Sequence, residues 1–316
     1  MRCIALRVLL FRATSNQAGA SPACTAYLSI RACSYVKSIG TCPGTYDITY
    51  NEERGCMDEL IVHKLAQFPI FDSHMHIVDP RFPLVANQGY LPDPFTVEDY
   101  RARTAPFHII GGAVVSGSFQ AEDQTYLLDA LERLGPGFVG VTQLPVTVPD
   151  QEILRLHAAG VRAVRFNFRR GGTEVLEKLE TLARRVYDLA GWHAELYIDS
   201  TYLTELAPLL TSLPRVCIDH LGLSQAGFTD LLRLVEQGAY VKATGFGRVD
   251  FDVPQALKAI STVNPGALVF ATDLPCPRAP RPFQDSDVEL VIEALGESLA
   301  RRVFSENALG LYHPGI

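Results

Sequence analysis

The sequence lacks the features that mark several common classes of protein. No apolar stretch approaches the roughly 18 residues that a membrane span requires. No run of Lys and Arg could form a surface for phosphate backbones, and the net charge is -7. No Cys-x-x-Cys pair occurs among the seven cysteines, and an odd number of cysteines does not suggest a disulfide framework. Membrane and nucleic-acid partners are therefore not expected, and small-molecule chemistry is favoured.

Acidic residues are absent from residues 1–46, and this bias is typical of an organellar transit segment. Five of the seven cysteines lie in the first 56 residues, directly before Met57, so an upstream extension or a mis-assigned start is the alternative. We expect residues 1–60 to be an extension outside the fold, disordered or transit-like. Reduced thiols and a cytoplasmic location are expected, or an organellar one if the segment is a genuine transit peptide.

From about residue 66 the chain alternates β-branched runs with longer amphipathic stretches, as βα units on a parallel sheet do. An open doubly wound sheet is the alternative, but SHMH follows the first run where that fold would have a glycine-rich phosphate turn. Eight strands with intervening helices over residues 66–316 predict a single-domain α/β fold, the (β/α)8 TIM barrel. The predicted strands are 68–73, 109–116, 138–143, 161–168, 193–198, 215–219, 239–244 and 267–272.

Polar side chains follow the apolar runs at equivalent points of separate strands. His74 and His76 share one face of the first strand, because successive side chains on a strand point to opposite faces. Tyr197, His220 and Asp273 follow later strands at the same height. Burying so many ionisable groups at one barrel rim is costly unless they have a task, so the set is predicted to be catalytic.

A set of motifs occurs in order along the chain: DSHMH at 72–76, the DPRFP and NQGYLP segments, GVRAVRFNF at 160–168, WHAELY at 192–197, DHLG at 219–222 and TDLP at 272–275. These motifs resemble the amidohydrolase superfamily, in its 2-pyrone-4,6-dicarboxylate lactonase-like branch. The resemblance covers about residues 68–312 and implies a TIM-barrel lactone-processing enzyme.

The resemblance also bears on cofactors. Typical metal-dependent members place Lys, Glu or His on the fifth strand, where this sequence has Tyr197, and a neutral phenol is a poor ligand for a divalent ion. The lactonase branch is similar in having tyrosine there and in working without metal. No obligatory cofactor is therefore expected. A site for Zn²⁺ or another divalent metal is the alternative, with His74, His76, His220 and Asp273 as its ligands.

Arginines favour a small anionic substrate, since a guanidinium offers a planar pair of donors to a carboxylate. Arg165 lies within the fourth strand and Arg248 follows the seventh. The resemblance implies that both hold substrate carboxylates, with help from Ser118 and Tyr90. It also implies a further basic residue after the fourth strand, for which Arg169 and Arg170 are both candidates.

The predicted activity is hydrolysis of a carboxylated cyclic ester, either a lactone or a pyrone dicarboxylate. Asp273 is the expected general base toward water, while the three histidines polarise the carbonyl and Tyr197 donates a hydrogen bond. The alternatives are a zinc-dependent amidohydrolase or decarboxylase, a sugar-acid lactone isomerase and a non-catalytic binding barrel. The sequence indicates no oligomeric state.

Overall fold

The computed structural model describes residues 66–171 and 174–315, and the expected extension at 1–60 lies outside them. Each predicted strand is present, with ends that differ by no more than two residues from the predicted ones. The strands are β1 (Pro69–Met75), β2 (His108–Val115), β3 (Phe138–Thr142), β4 (Val161–Asn167), β5 (His193–Tyr197), β6 (Val216–Ile218), β7 (Tyr240–Ala243) and β8 (Leu268–Phe270).

The strands pair in parallel in sequential order from β1 to β8, as the strands of a TIM barrel do. Beyond the last residues of β8 the chain bonds back to β1. Asp273 N donates to His74 O at 2.8 Å, and His76 N donates to Leu274 O at 2.7 Å. The Asp72 carboxylate accepts hydrogen bonds from the backbone N and the hydroxyl of Thr272 at 2.8 and 2.7 Å. These bonds close the barrel, and the predicted fold class is confirmed.

An irregularity in β1 directs both of its histidines into the barrel. Asp72 pairs with Gly112 and Met75 with Val114, so two residues of β1 stand opposite one of β2. Such a bulge changes which side chains face inward. Phe71 lies in the interior of the barrel and Met75 in the layer under the helices. The side chains of His74 and His76 therefore both point inward at the carboxyl end of the strand.

Helices follow the strands on the outside of the barrel. In the helix Glu174–Ala190, Leu179, Leu182 and Val186 form a buried stripe, whereas Leu176 in its first turn is exposed. The helices are α1 (Val97–Thr104), α2 (Thr125–Leu134), α3 (Asp150–Ala158), α4 (Phe168–Gly171), α5 (Glu174–Ala190), α6 (Leu203–Ser212), α7 (Phe228–Glu236), α8 (Val253–Val263), α9 (Ser286–Arg301) and α10 (Asn307–Tyr312).

The apolar core has two layers. One lies between the strands and the surrounding helices, and a smaller one fills the barrel interior around Phe71 and Val269. Tyr312 from α10 stacks on Phe71 with ring centroids 5.3 Å apart and seals the amino end of the interior. The carboxyl end is left for polar groups. None of the helices within the described residues is both long enough and apolar enough to cross a membrane.

Candidate active site

A cavity of roughly 440 Å³, open to solvent, lies at the carboxyl ends of the strands. This is the end at which TIM barrels carry their catalytic groups. The described lining includes eight of the residues singled out from the sequence, namely His76, Tyr90, Ser118, Arg165, Tyr197, His220, Arg248 and Asp273. The structure thus brings residues from widely separated strands and loops to one opening.

At the mouth of this cavity Arg248 and Asp273 form an ion pair, which we call the rim pair. Arg248 donates from Nε to Asp273 Oδ2 at 2.8 Å, and its Nη2 lies 2.6 Å from the same oxygen. Burial alone would raise the pKa of Asp273, but His220 and Arg248 hold that pKa well below its usual range. Asp273 Oδ1 accepts no hydrogen bond from the described residues. The rim pair therefore offers an ionised carboxylate with one free oxygen.

Deeper in the barrel lies a second group of charges, the floor cluster of Glu195, Asp219 and Lys242. Lys242 Nζ lies 2.5 Å from Glu195 Oε2 and 3.5 Å from Asp219 Oδ1, with all three side chains inaccessible to solvent. Burial would lower the pKa of Lys242, but the two carboxylates outweigh it and raise that pKa. Arg165 donates to Asp219 Oδ2 from Nε and Nη2 at 3.2 and 2.9 Å. The floor cluster is thus charged and internally paired.

The two imidazoles of β1 join the floor cluster to the cavity through a directed chain of hydrogen bonds. Lys242 Nζ lies 3.1 Å from His74 Nδ1, and an ammonium can only donate, so His74 Nδ1 accepts and its proton is on Nε2. His76 Nδ1 lies 2.7 Å from Val115 O, and a carbonyl can only accept, so His76 carries its proton on Nδ1. His74 Nε2 therefore donates to His76 Nε2 across 3.3 Å. This network assigns both tautomers.

His220 occupies a tightly constrained position beside these imidazoles. Its backbone has φ of 52°, and its ring centroid lies 5.0 Å from that of His74 and 5.2 Å from that of Tyr197. Burial lowers the pKa of His220 to about 4, so the ring is neutral at pH 7. Gly245, with φ of +65°, leaves the necessary space, because a Cβ there would lie 2.7 Å from His220 Nδ1. Strained backbone of this kind often occurs at functional sites.

The candidate metal ligands lie close enough together to hold an ion, but the imidazole nitrogens that face the ion are not all free of hydrogen. His74 Nε2 and His76 Nε2 lie 3.8 and 3.7 Å from Asp273 Oδ1, close enough for a shared ion. His220 groups instead with His74 and Asp219, so the predicted four-ligand set does not form one cluster among the described residues. A metal requires a lone pair on each imidazole nitrogen that faces it, and His74 Nε2 carries a hydrogen. The donor set as arranged therefore does not suit zinc.

Comparison with known proteins agrees with this geometry. A family model described as amidohydrolase matches residues 71–313, which is more than half of the chain. The chain belongs to the amidohydrolase family. A solved structure of a probable 2-pyrone-4,6-dicarboxylic acid hydrolase from Acinetobacter baumannii, with citric acid bound, covers 77% of this amidohydrolase and 99% of its own chain, at a TM-score of 0.68 and 21% identity. At that identity the likeness bears on the fold alone.

Curated relatives match this amidohydrolase at higher identity over a smaller share of the chain. It is 31% identical over 156 residues to a 2-pyrone-4,6-dicarboxylate hydrolase of Comamonas testosteroni, a match that spans 48% of this chain and 51% of that protein. It is 26% identical over 228 residues to a 4-sulfomuconolactone hydrolase of Rhizobium radiobacter, spanning 65% of this chain and 75% of that one. The chain thus matches only about half the length of the first of these relatives.

The residues predicted to bind substrate differ in how they are engaged within this amidohydrolase. Arg165 and Arg248 line the cavity but each is paired with an aspartate. Ser118 begins a short 3-10 turn after β2 and lines the cavity wall. Arg169 lies in an adjoining pocket, 3.4 Å from Asp199. The side chain of Arg170 lies outside the described part of the structure.

Sequence reasoning missed Arg278, in the proline-rich segment after β8. Its guanidinium stacks on the Tyr90 ring at 4.3 Å and donates to the carbonyl of Asn87. It lines both the main cavity and the pocket beside it. Among the described residues it has no carboxylate partner, which distinguishes it from Arg165 and Arg248. The signal was available as a basic residue in PCPRAPRPF, the segment that directly follows the last strand and TDLP.

Sequence reasoning also missed Glu195, Asp219 and Lys242. Each is a charged residue at or within an apolar strand run, in HAELY, RVCID and AYVKA. A strand interior should not carry an unpaired charge, and this rule gives each of them, like Arg165, a partner or a task. Burial raises the pKa of the Cys276 thiol to about 12, which disfavours the thiolate that a nucleophile requires.

Proposed function

We propose that this amidohydrolase hydrolyses a small cyclic ester that bears anionic groups, using water and no obligatory metal. The observation that carries the proposal is Asp273 Oδ1, an ionised and unpartnered carboxylate oxygen that faces the cavity between two imidazoles. Such an oxygen can accept a proton from water at the moment of attack. The names of the two relatives describe hydrolases of cyclic esters with carboxylate or sulfo substituents, which supports the same class.

In this mechanism the water oxygen attacks the ester carbonyl carbon while Asp273 takes a proton from the water. His74 Nε2–H is bonded to His76 Nε2 and orients that ring. Tyr197, which lines the cavity, is the donor available to the developing oxyanion. The ring C–O bond then breaks, and the proton held by Asp273 passes to the departing oxygen.

The rim pair links substrate binding to the base. Arg248 contacts Asp273 through one oxygen only. His220 and Arg248 together keep the pKa of Asp273 far below the value that suits proton transfer near pH 7. A substrate carboxylate that draws Arg248 toward itself would weaken this contact and raise the basicity of Asp273. In this way, binding of an anionic substrate prepares the base.

Among the described arginines that line the cavity, Arg278 is the one whose charge is not already paired with a carboxylate. It can therefore contact an anionic group of the substrate. Because Arg165 donates to buried Asp219, it stabilises the floor cluster and is less available to a ligand. Arg278 projects over Tyr90 at the cavity opening and is part-buried, so its charge is accessible to an incoming group. We assign Arg278 and Arg248 to two anionic groups of the substrate, with Ser118 and Tyr90 along the wall.

The test is a hydrolysis screen of carboxylated lactones and pyrones, with metal analysis of the same preparation. Ring opening of dianionic substrates by metal-free protein supports the proposal. Activity that requires stoichiometric zinc and is lost with a chelator would replace it with the metal-dependent alternative. Conversion of a sugar-acid lactone into an isomeric lactone, without ring-opened product, would identify an isomerase. Turnover that is unchanged when Asp273 is replaced would point to a different base.

A further inference from the structure

We infer that Lys242 is the positioning residue that keeps the two inward histidines of β1 from forming a zinc site and makes His74 a hydrogen-bond donor instead. The inference concerns the state of the imidazoles in the protein alone, so it does not depend on the identity of the substrate. It rests on the direction of the hydrogen bonds that run from Lys242 to Val115.

The first step is the competition for His74 Nδ1. Two groups reach this nitrogen, the ammonium of Lys242 at 3.1 Å and Asp219 Oδ1 at 3.4 Å. An ammonium gives a proton to Nδ1, whereas a carboxylate would take a hydrogen bond from it, so they impose opposite tautomers. Asp219 Oδ1 accepts no hydrogen bond within the described structure. Lys242 therefore holds the nitrogen, and Asp219 is the unused alternative.

The second step is the effect on the cavity side of the rings. Metal-bound histidines commonly donate their other ring N–H to a carboxylate, and that contact keeps the coordinating nitrogen unprotonated. Asp219 stands in the position to serve His74 in this way. With Lys242 in place, the proton lies on Nε2 and is shared with His76 Nε2 at 3.3 Å. One imidazole lone pair is thus used by the other imidazole and not presented to an ion.

The third step is the reason Lys242 can hold this position. Its side chain is inaccessible to solvent, and its ammonium lies between Glu195 Oε2 and Asp219 Oδ1. Glu195 is itself fixed by Tyr312 and His193, which lie 2.6 and 3.1 Å from its Oε1. A residue with no donor at position 242 would leave His74 Nδ1 to Asp219. The same first-strand pair would then offer two lone pairs toward Asp273.

The direct experiment uses the full chain with ¹⁵N-labelled histidine. In the wild-type protein at neutral pH, nitrogen chemical shifts and one-bond couplings should show His74 protonated on Nε2 and His76 on Nδ1. The resonances are assigned by their loss in His74→Gln and His76→Gln. Proton attachment at Nδ1 of His74 in the wild type would overturn the inference. This measurement requires no substitution at Lys242, so a variant that fails to fold cannot leave the inference undecided.

The second experiment measures zinc alone, by competition with a chromogenic chelator. Lys242→Met should bind one zinc at least tenfold more tightly than wild type, in the range by which partners of ligating histidines alter metal affinity, roughly 10- to 100-fold. The double variant Lys242→Met/Glu195→Gln removes one charge of each sign and tests the same effect with the buried charges balanced. Its His74 should be protonated on Nδ1.

Two controls locate the effect. Lys258→Met changes an exposed lysine on α8 and should leave zinc binding at the wild-type level. Adding His76→Gln to the Lys242 variants should abolish the gained zinc binding, because it removes one of the two imidazole ligands. Equal zinc affinity in the wild type and both Lys242 variants would contradict the inference, whether or not the protein hydrolyses lactones.

Discussion

The rim pair and the floor cluster contain the same kind of aspartate–arginine contact in two different surroundings. In each, an arginine contacts Oδ2 of an aspartate through Nε and Nη2, and Oδ1 accepts no hydrogen bond from the described residues. Asp273 faces the cavity, whereas Asp219 is fully buried beside Lys242. The difference shows that an aspartate–arginine pair does not define a role by itself. The role depends on what contacts the second carboxylate oxygen, Oδ1. At the rim that contact can be made by substrate or water.

A third buried aspartate shows what the cationic partners contribute. Asp72 accepts hydrogen bonds from Thr272 and Tyr100, which are neutral groups. Burial dominates those bonds and raises the pKa of Asp72 to about 6. Asp219 and Asp273 are equally buried, but neighbouring cations hold their pKa values well below the usual range. Cations therefore keep the rim and floor aspartates ionised, whereas no cation among the described residues bonds to the aspartate that closes the barrel.

The largest expected effect comes from removing the free carboxylate oxygen at the rim. Asp273→Asn should lower kcat by about 10² to 10⁴, the usual contribution of a general base. The measurement is steady-state hydrolysis of a substrate found by the screen. Asp93→Asn, at an exposed position, is the matched control and should retain wild-type kcat. Near-normal turnover by the Asp273 variant would remove that residue from the role of base.

Removing a carboxylate from the floor cluster should lower the free energy of unfolding. Glu195→Ala leaves Lys242 buried without its nearest carboxylate and should cost about 3–5 kcal/mol of unfolding free energy in urea. The exposed Glu205→Ala on α6 should change it by less than about 0.5 kcal/mol. The double variant Glu195→Ala/Lys242→Met should recover much of the loss, since both charges are gone. A loss from Glu195→Ala as small as that from the control would mean that the floor cluster is not held by charge.

The architecture and much of the rim could be predicted from the sequence. Strands on a parallel sheet read as apolar runs, and the period of two places His74 and His76 on one face. Asp273 and His220 come directly after apolar strand runs, so their position at the carboxyl end of the barrel was predictable. Barrel closure then brings strand ends together in sequential order, which is why a local pattern was sufficient.

The floor cluster could not be predicted from the sequence in the same way. Glu195 and Lys242 lie on strands separated by β6, and His74 lies on β1, across the closure of the barrel. No local spacing indicates that these three side chains meet. The irregular pairing of β1, which directs His74 inward, is likewise set by tertiary packing. The histidine tautomers follow from these contacts and not from the motif, which is why the sequence left the metal question open.

The contrast between Asp72 and the ionised aspartates can be tested by pH. Because its folded pKa is raised from 3.8 to about 6, Asp72 contributes its stability below about pH 4 and loses it as pH rises through 6. The loss is about 3 kcal/mol at pH 7. Asp72→Asn does not ionise, so its unfolding free energy relative to wild type should improve by that order between pH 4 and 7. A difference between the two proteins that is flat with pH would show that the Asp72 carboxyl does not titrate in this range.

The smallest expected effect concerns Arg278, which has no carboxylate partner in the part of the chain that the structure describes, unlike Arg165 and Arg248. Arg278→Gln should raise KM for a dianionic substrate about tenfold, since a charged hydrogen bond contributes about 1.5–3 kcal/mol, and should leave kcat nearly unchanged. For a related lactone with one anionic group fewer, KM should change much less. Arg155→Gln, on the exposed face of α3, is the control for loss of a positive charge. Equal KM changes for both substrates would mean that Arg278 attracts anions in general and does not contact one particular group. The second anionic group of the substrate would then be assigned to Arg165. In that case Arg165 would be expected to release Asp219 when substrate binds.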